Sequence, residues 1–283
     1  MKSLFFTIAL ALLAIGADDT EMSGNFQPEP NYIPYFLKAE KAKKLYKNGR
    51  YEESYKILDS LFDYYEPKNT LILNESYTFL TLCVTLGKTH NSEKVIKYFA
   101  LKEGWEYTTF EEDQRVFMIN NTSLDSIAVI KLNKLYKTEY IPALADSLAV
   151  MFERDQEVRQ SPIDEDKLAK VRLLNNRQLI DIIKKYGFPT KSQVDDLRKV
   201  ANISVMLKHL TPEEKLEVRP ILYEELKKGK VAPWIYGSML DKETRNNLDT
   251  EFPYYGTYSN MKPTDTTACN DARESIGLPR IKF

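Results

Sequence analysis

Cysteine and histidine are scarce in this chain, whose 283 residues include two of each. Zinc fingers, iron–sulfur clusters and disulfide scaffolds need more thiolate and imidazole ligands than that, and they are excluded. An excess of one charge is also lacking, because 40 Lys and Arg face 41 Asp and Glu for a net charge of −1. This balance predicts no nucleic-acid partner and no attraction to an anionic membrane surface.

Glycine is infrequent too, with ten residues, none of which stands two positions from another. That spacing excludes the Gly-x-Gly-x-x-Gly dinucleotide fingerprint. The phosphate-loop pattern, the Gly-x-Ser-x-Gly elbow and the His-Glu-x-x-His zinc motif are missing as well. A catalytic triad or a metal site would have to use His90 or His209, or do without histidine. We expect neither a cofactor nor a metal.

The first 17 residues have the pattern of an export signal. Lys2 precedes an apolar run over residues 4–15, and a Gly-Ala pair follows at a position suited to cleavage. A helix over that run spans about 18 Å, short of the roughly 30 Å of a bilayer core, which favours a signal peptide over an uncleaved anchor. We expect a protein that is exported to the periplasm or secreted, soluble, and not inserted in a membrane once the signal is removed.

Export to an oxidising compartment would permit a disulfide between Cys83 and Cys269. Cys83 stands in an apolar run over residues 80–84, which favours a buried thiol over a bridge. Both alternatives stay open at this point.

Most of the remaining chain has the periodicity of amphipathic helices, so the predicted fold class is all-α. Residues 18–34 hold three prolines and predict an extended leader. Helices are expected over 36–48, 51–65, 71–86, 92–102, 124–136, 140–160 and 176–186. Ser192 and Asp195 together predict a capping-box-like start to the next helix, which ends near His209, and a further helix is expected from Thr211 to Lys227. Residues 105–115 fit a short helix or a loop. Pro220 either kinks the last helix or begins another, and the chain from Pro253 onward predicts an irregular tail docked on the helices.

The first hairpins resemble the tetratricopeptide repeat, in which a small residue makes the tight turn and aromatic residues pack the two helices together. The matching positions are Leu45-Tyr46, Gly49-Arg50-Tyr51-Glu52-Glu53, Ile57, Leu61 and Pro67. A weaker second unit turns at Gly87, which lies 38 residues after Gly49. The resemblance covers residues 36–103. It implies TPR-like helical hairpins over 35–137, packed on a C-terminal helical domain over 138–283.

The chain from about residue 140 resembles an uncharacterised bacterial domain family found in exported proteins. The matching elements, in order, are Asp155-Gln156-x-x-Arg159, Gly187-Phe188-Pro189, Lys208-His209, Leu240-Asp241-Lys242, Tyr255-Gly256-Thr257-Tyr258, and Arg273 followed by Gly277-Leu278-Pro279. The family has Gln before the histidine, Arg after the aspartate and Gln in place of Tyr258. Losing these polar groups would weaken an active site if the family is enzymatic. The family brings no agreed function with it.

The candidate site residues are Asp155, Arg159, His209, Asp241 and Tyr255. Asp155 and Arg159 are four apart on one helix face, where they form an ion pair or grip a carboxylate or phosphate. His209 stands at a helix end, where it binds the last carbonyls or serves as a general base or ligand contact. Asp241 caps a turn or joins that site. Tyr255 packs the tail or lines an aromatic groove for sugar or peptide.

Three functions fit these patterns. The leading hypothesis is a helical-repeat binding module for a peptide or an envelope protein, because stacked repeats present extended binding surfaces. The alternative is a hydrolase acting on cell-envelope material, which requires Asp155, Arg159, His209 and Asp241 to converge. A purely structural envelope component is the third. The sequence specifies no oligomeric state.

Overall fold

The computed structural model describes residues 30–70, 73–160, 163–246, 253–258 and 263–282. All regular secondary structure in these ranges is helical, which confirms the all-α prediction. The helices are α1 (Ile33–Lys47), α2 (Tyr51–Tyr64), α3 (Glu75–Leu86), α4 (Ser92–Lys102), α5 (Glu112–Asn121), α6 (Ser126–Thr138), α7 (Pro142–Glu157), α8 (Glu165–Tyr186), α9 (Lys191–Val194), α10 (Leu197–Leu207), α11 (Pro212–Lys227), α12 (Pro233–Asn246) and α13 (Thr266–Ser275). The predicted signal peptide, and the leader up to residue 29, lie outside the described residues.

The first four helices form two helical hairpins. α1 packs on α2 and α3, and α3 packs on α4. Gly49 and Gly87 follow the first helix of each hairpin, with φ of 73° and 65°. Glycine closes a helix there because the left-handed conformation costs it nothing sterically, so both predicted helix stops are confirmed. Phe36, Phe62 and Phe79 are fully buried between the helices.

Several boundaries in this half differ from the predicted ones. α1 begins at Ile33 and has Pro34 in its first turn. Proline lacks a backbone N–H, but the N–H groups of the first turn have no acceptor within the helix, so no hydrogen bond is lost. Residues 33–34 are therefore helical and not part of an extended leader. α3 begins at Glu75, later than the predicted residue 71. The ambiguous stretch 105–115 holds a 3₁₀ turn over Tyr107–Thr109 and the beginning of α5.

α8 has 22 residues and begins eleven residues before the predicted position. Its start is set by Asp164, whose carboxylate accepts from the backbone N–H of Lys167 and so caps the helix. The first half of α8 went unpredicted because its exposed face carries Leu173 and Leu174, which blur the apolar periodicity.

The start of α10 is also corrected. Its cap is Asp196, whose carboxylate accepts from the N–H of Arg198. Ser192 lies inside the short helix α9, and Asp195 is the left-handed residue that ends α9. Neither begins the helix that leads to His209, so that prediction is wrong.

α11 begins as predicted, because Thr211 and Glu214 form a reciprocal capping box. Pro220 lies inside this helix, which continues to Lys227, so the alternative of a second helix beginning there is wrong. The tail is docked, but it is not irregular throughout. α13 occupies ten of its residues and is capped by Asp265.

Both halves share one apolar interior. The N–H of Tyr32 donates to the C=O of Lys227 at 2.7 Å. The hydroxyl of Tyr136 donates to Asp195 at 2.7 Å. These bonds join residues far apart in sequence, so the hairpins and the C-terminal helices are in direct contact. No helix in the part of the chain described here is long and apolar enough to cross a bilayer.

Candidate functional site

Asp155 and Arg159 lie at the C-terminal end of α7 and form a two-pronged ion pair. Nε of Arg159 donates to Oδ2 of Asp155 at 2.7 Å, and Nη2 donates to Oδ1 at 2.9 Å. Burial opposes ionisation of this carboxyl, but the hydrogen bonds and charge of Arg159 outweigh it and hold the pKa of Asp155 below its ordinary value. Both oxygens accept from Arg159, and the lowered pKa makes Asp155 a weaker base than an ordinary aspartate.

His209 follows the C-terminal end of α10 and is half-buried. Nδ1 of its ring lies 3.1 Å from Nζ of Lys242 on α12. Burial is the largest cause that lowers the pKa of His209, from 6.5 to about 4. The positive charges of Lys242, Arg172 and Arg159 add to this effect in that order. The imidazole is therefore neutral at neutral pH.

Arg172 of α8 faces the same region. It stands one helical turn before Asn176, whose Nδ2 donates to the backbone C=O of His209 at 3.2 Å. Nε of Arg172 has no exposed surface and no hydrogen-bond partner. A buried cationic N–H without an acceptor is uncommon, because leaving it unpaired costs free energy.

The structure therefore brings together four elements at one place. We call this group the polar junction, and its members are Asp155, Arg159, Arg172, His209 and Lys242. Three of the five candidate residues from the sequence belong to it.

Asp241 does not belong to the polar junction, although Lys242 is its neighbour. Its carboxylate is fully buried and accepts from the N–H of Tyr255 at 2.6 Å, and from the N–H and hydroxyl of Thr257 at 2.7 and 2.6 Å. Burial raises the pKa of Asp241, and the hydrogen bonds from Thr257 and Tyr255 oppose that effect. Asp241 thus holds the tail, which is close to the turn-capping role considered for it.

Tyr255 belongs to the tail that Asp241 holds, and its N–H donates to that carboxylate. Its ring is buried against Tyr236, with centroids 6.3 Å apart. Both rings, together with Tyr223 and Arg219, line a cavity of about 470 Å³. Tyr255 thus packs the tail, as considered for it, and its ring also lines this cavity, while binding of sugar or peptide there stays a prediction.

The remaining histidine and the cysteines lie elsewhere. His90 is exposed in the turn before α4, and its Nδ1 lies 2.8 Å from Oδ1 of Asp59. Cys83 and Cys269 are buried free thiols, so the disulfide alternative is not realised. Among the residues described, no group of three or more His, Cys, Asp or Glu is placed to hold a metal ion.

The proton of His209 decides what the polar junction can do chemically. The ammonium group of Lys242 can only donate, so Nδ1 of the neutral ring accepts and the proton sits on Nε2. Nε2–H is a donor, and it cannot take up a proton as a general base. With guanidinium groups beside it, this arrangement suits an acceptor that carries negative charge.

Sequence reasoning missed Arg172 and did not assign Lys242 a role. The burial of Asn175 and Asn176, which marks this face of α8 as polar, is known only from the structure, and Arg172 precedes Asn176 by four positions. Buried amides on a helix face indicate a polar contact surface. The apolar periodicity predicts a helix only from residue 176, so the sequence alone does not place Arg172 on this face.

No protein-family model, curated protein or solved structure matches this chain. The resemblances to the tetratricopeptide repeat and to the bacterial domain family therefore stay predictions. What the residues can do rests on the geometry described above.

Proposed function

We propose that this protein is an exported binding module that holds a peptide or an envelope-protein partner at the polar junction. Export is inferred from the apolar run over residues 4–15 and the small residues after it. Binding is inferred from the donors that the junction presents and from the helical scaffold around them. Helices place such side chains more firmly than loops do.

One observation carries the proposal. Nδ1 of His209 accepts from Lys242 at 3.1 Å, so the ring presents Nε2–H as a donor. A donor beside Arg159 and Arg172 recognises a ligand group and leaves it unchanged. The same geometry speaks against the hydrolase alternative, in which His209 would have to accept a proton.

The other residues of the hydrolase alternative are already engaged. Asp155 pairs with Arg159 through both oxygens. Asp241 accepts three hydrogen bonds from the tail. Because no described carboxylate of that set is available to activate water, a binding role accounts for the residues better than catalysis does.

The test uses the protein without residues 1–17 as an affinity matrix for the exported fraction of its source cells. We expect a partner that is retained by the wild type and lost with Arg159→Gln. The matched control is Lys170→Gln, an exposed position on α8 with the same change of charge. A partner held equally by both variants, or none held by the wild type, would contradict the proposal. So would hydrolysis of envelope peptides that is abolished by His209→Ala.

A further inference from the structure

The unpartnered nitrogen of Arg172 is the most unusual polar atom of the polar junction. Nε is buried and finds no acceptor. Asp155, whose charge also acts on His209, gives both oxygens to Arg159. Folded proteins pair buried cationic donors with an acceptor, since an unpaired one loses its hydration without compensation. An acceptor from outside the chain would remove this cost.

The charges around Arg172 fit a negative ligand. Arg172, Arg159 and Lys242 all disfavour a further positive charge on His209, and Asp155 alone opposes them. From α11, Glu214 accepts from Nδ2 of Asn176 at 2.6 Å, and the same amide donates to the backbone C=O of His209. From the end of α10, Lys208 lies over the ring of Trp234, 4.5 Å from its centroid.

The geometry points to an oxyanion site, in which a carboxylate or phosphate group accepts hydrogen bonds from Arg172 and from Nε2–H of His209. This inference deepens the proposed function and rests on it, because it names the chemical group by which the partner is held. An anionic oxygen suits both donors, and hydrogen bonds from a guanidinium to such an oxygen are among the strongest in proteins. The two sources are an acidic group of a peptide and a phosphate.

The experiment is a titration of the protein without residues 1–17, followed by the imidazole nitrogen signals of its two histidines. The probes are inorganic phosphate and N-acetylglycine, at constant ionic strength, with chloride as the reference anion. We expect the His209 signal to shift and saturate with at least one probe while the His90 signal stays in place. Saturation with phosphate alone assigns a phosphate site, and saturation with N-acetylglycine alone assigns a carboxylate site.

Two variants make the test specific. Arg172→Met should weaken binding about tenfold or more, since it removes a charged hydrogen bond, whereas Lys170→Gln should leave the dissociation constant unchanged. The melting temperature of Arg172→Met should not fall in anion-free buffer, because the lost nitrogen had no partner. A lower melting temperature would give Arg172 a structural role and overturn the inference. So would the absence of saturable shifts, or an equal effect of both substitutions.

The two proposals fail separately. A partner captured by the wild type, without any anion binding, would leave the binding function standing and remove the oxyanion site. Anion binding without a captured partner would leave the oxyanion site standing and remove the proposed binding function.

Discussion

The ammonium group of Lys242 lies 3.1 Å from Nδ1 of His209, across the contact between α12 and the end of α10. The preceding residue, Asp241, points to the tail and accepts from Tyr255. Consecutive residues of an α-helix point about 100° apart, so two adjacent side chains of α12 contact His209 and the tail. The polar junction and the docking of the tail are thereby linked through one helix.

The first prediction concerns the proton of His209. We expect nitrogen NMR at neutral pH to show the neutral ring with its proton on Nε2, and a titration midpoint near pH 4. Lys242→Met removes the donor to Nδ1 and one of the charges that lower this pKa, so the pKa of His209 should rise. The exposed substitution Lys170→Met should not change it. A wild-type midpoint near the ordinary value of about 6.5 would contradict the arrangement.

The second prediction concerns the tail. Asp241→Ala leaves the N–H groups of Tyr255 and Thr257 without their acceptor, and we expect it to lower the free energy of unfolding by about 2–4 kcal/mol. Asp241→Asn keeps one acceptor oxygen and should cost less. The exposed Asp146→Ala should stay within about 0.5 kcal/mol of the wild type. Urea denaturation measures all three, and equal losses for Asp241→Ala and Asp146→Ala would show that Asp241 does not hold the tail.

The third prediction concerns pH. Glu75 is buried at the start of α3, where it accepts from Thr70 at 3.1 Å and from the hydroxyl of Tyr35 at 3.3 Å. Burial raises its pKa from 4.5 to about 7, and these hydrogen bonds oppose the rise. The folded protein therefore holds a proton that the unfolded chain releases between about pH 4.5 and 7, so its stability falls as pH rises through that window.

The shift corresponds to about 3 kcal/mol between about pH 4 and pH 8. Glu75→Gln cannot ionise, so the free energy of unfolding of the wild type should fall by this amount relative to the variant. Urea denaturation at both pH values gives the difference, and the exposed Glu165→Gln is the control. A difference that does not depend on pH would mean that Glu75 titrates normally in the folded state.

Local chemistry explains which parts of the fold were predictable. The capping box of Thr211 and Glu214, and the glycine stops at Gly49 and Gly87, are set by neighbours in sequence and were predicted. α13 was not, because it is held by polar contacts instead of an apolar face. Its Arg273, for example, donates to the C=O groups of Tyr255 and Pro279. Hydrophobic periodicity does not detect that kind of docking.

The candidate site was predictable only in part, for a geometric reason. The spacing of Asp155 and Arg159 determines their ion pair, because residues four apart share a helix face. Whether His209 meets them or meets Asp241 depends on how four helices pack, and this is not a local property of the sequence. The adjacent Asp241 and Lys242 illustrate this, since each contacts a different part of the molecule.

The last prediction tests whether the two halves fold as one body. Gly277 has a φ of 88°, and a Cβ there would lie 3.0 Å from Cβ of Phe36 and 3.1 Å from the C=O of Ile33. Gly87 has a φ of 65°, but a Cβ there would meet nothing within 4 Å. Both alanine variants carry the backbone strain, and Gly277→Ala alone also separates the tail from α1. We expect it to be less stable than Gly87→Ala by about 1–3 kcal/mol.

Single-tryptophan forms that keep Trp105 or Trp234 should report coincident unfolding of the two halves, and both transitions should shift together with Gly277→Ala. Separate transitions, or an early stable protease cut between about residues 104 and 140, would show two independent domains instead.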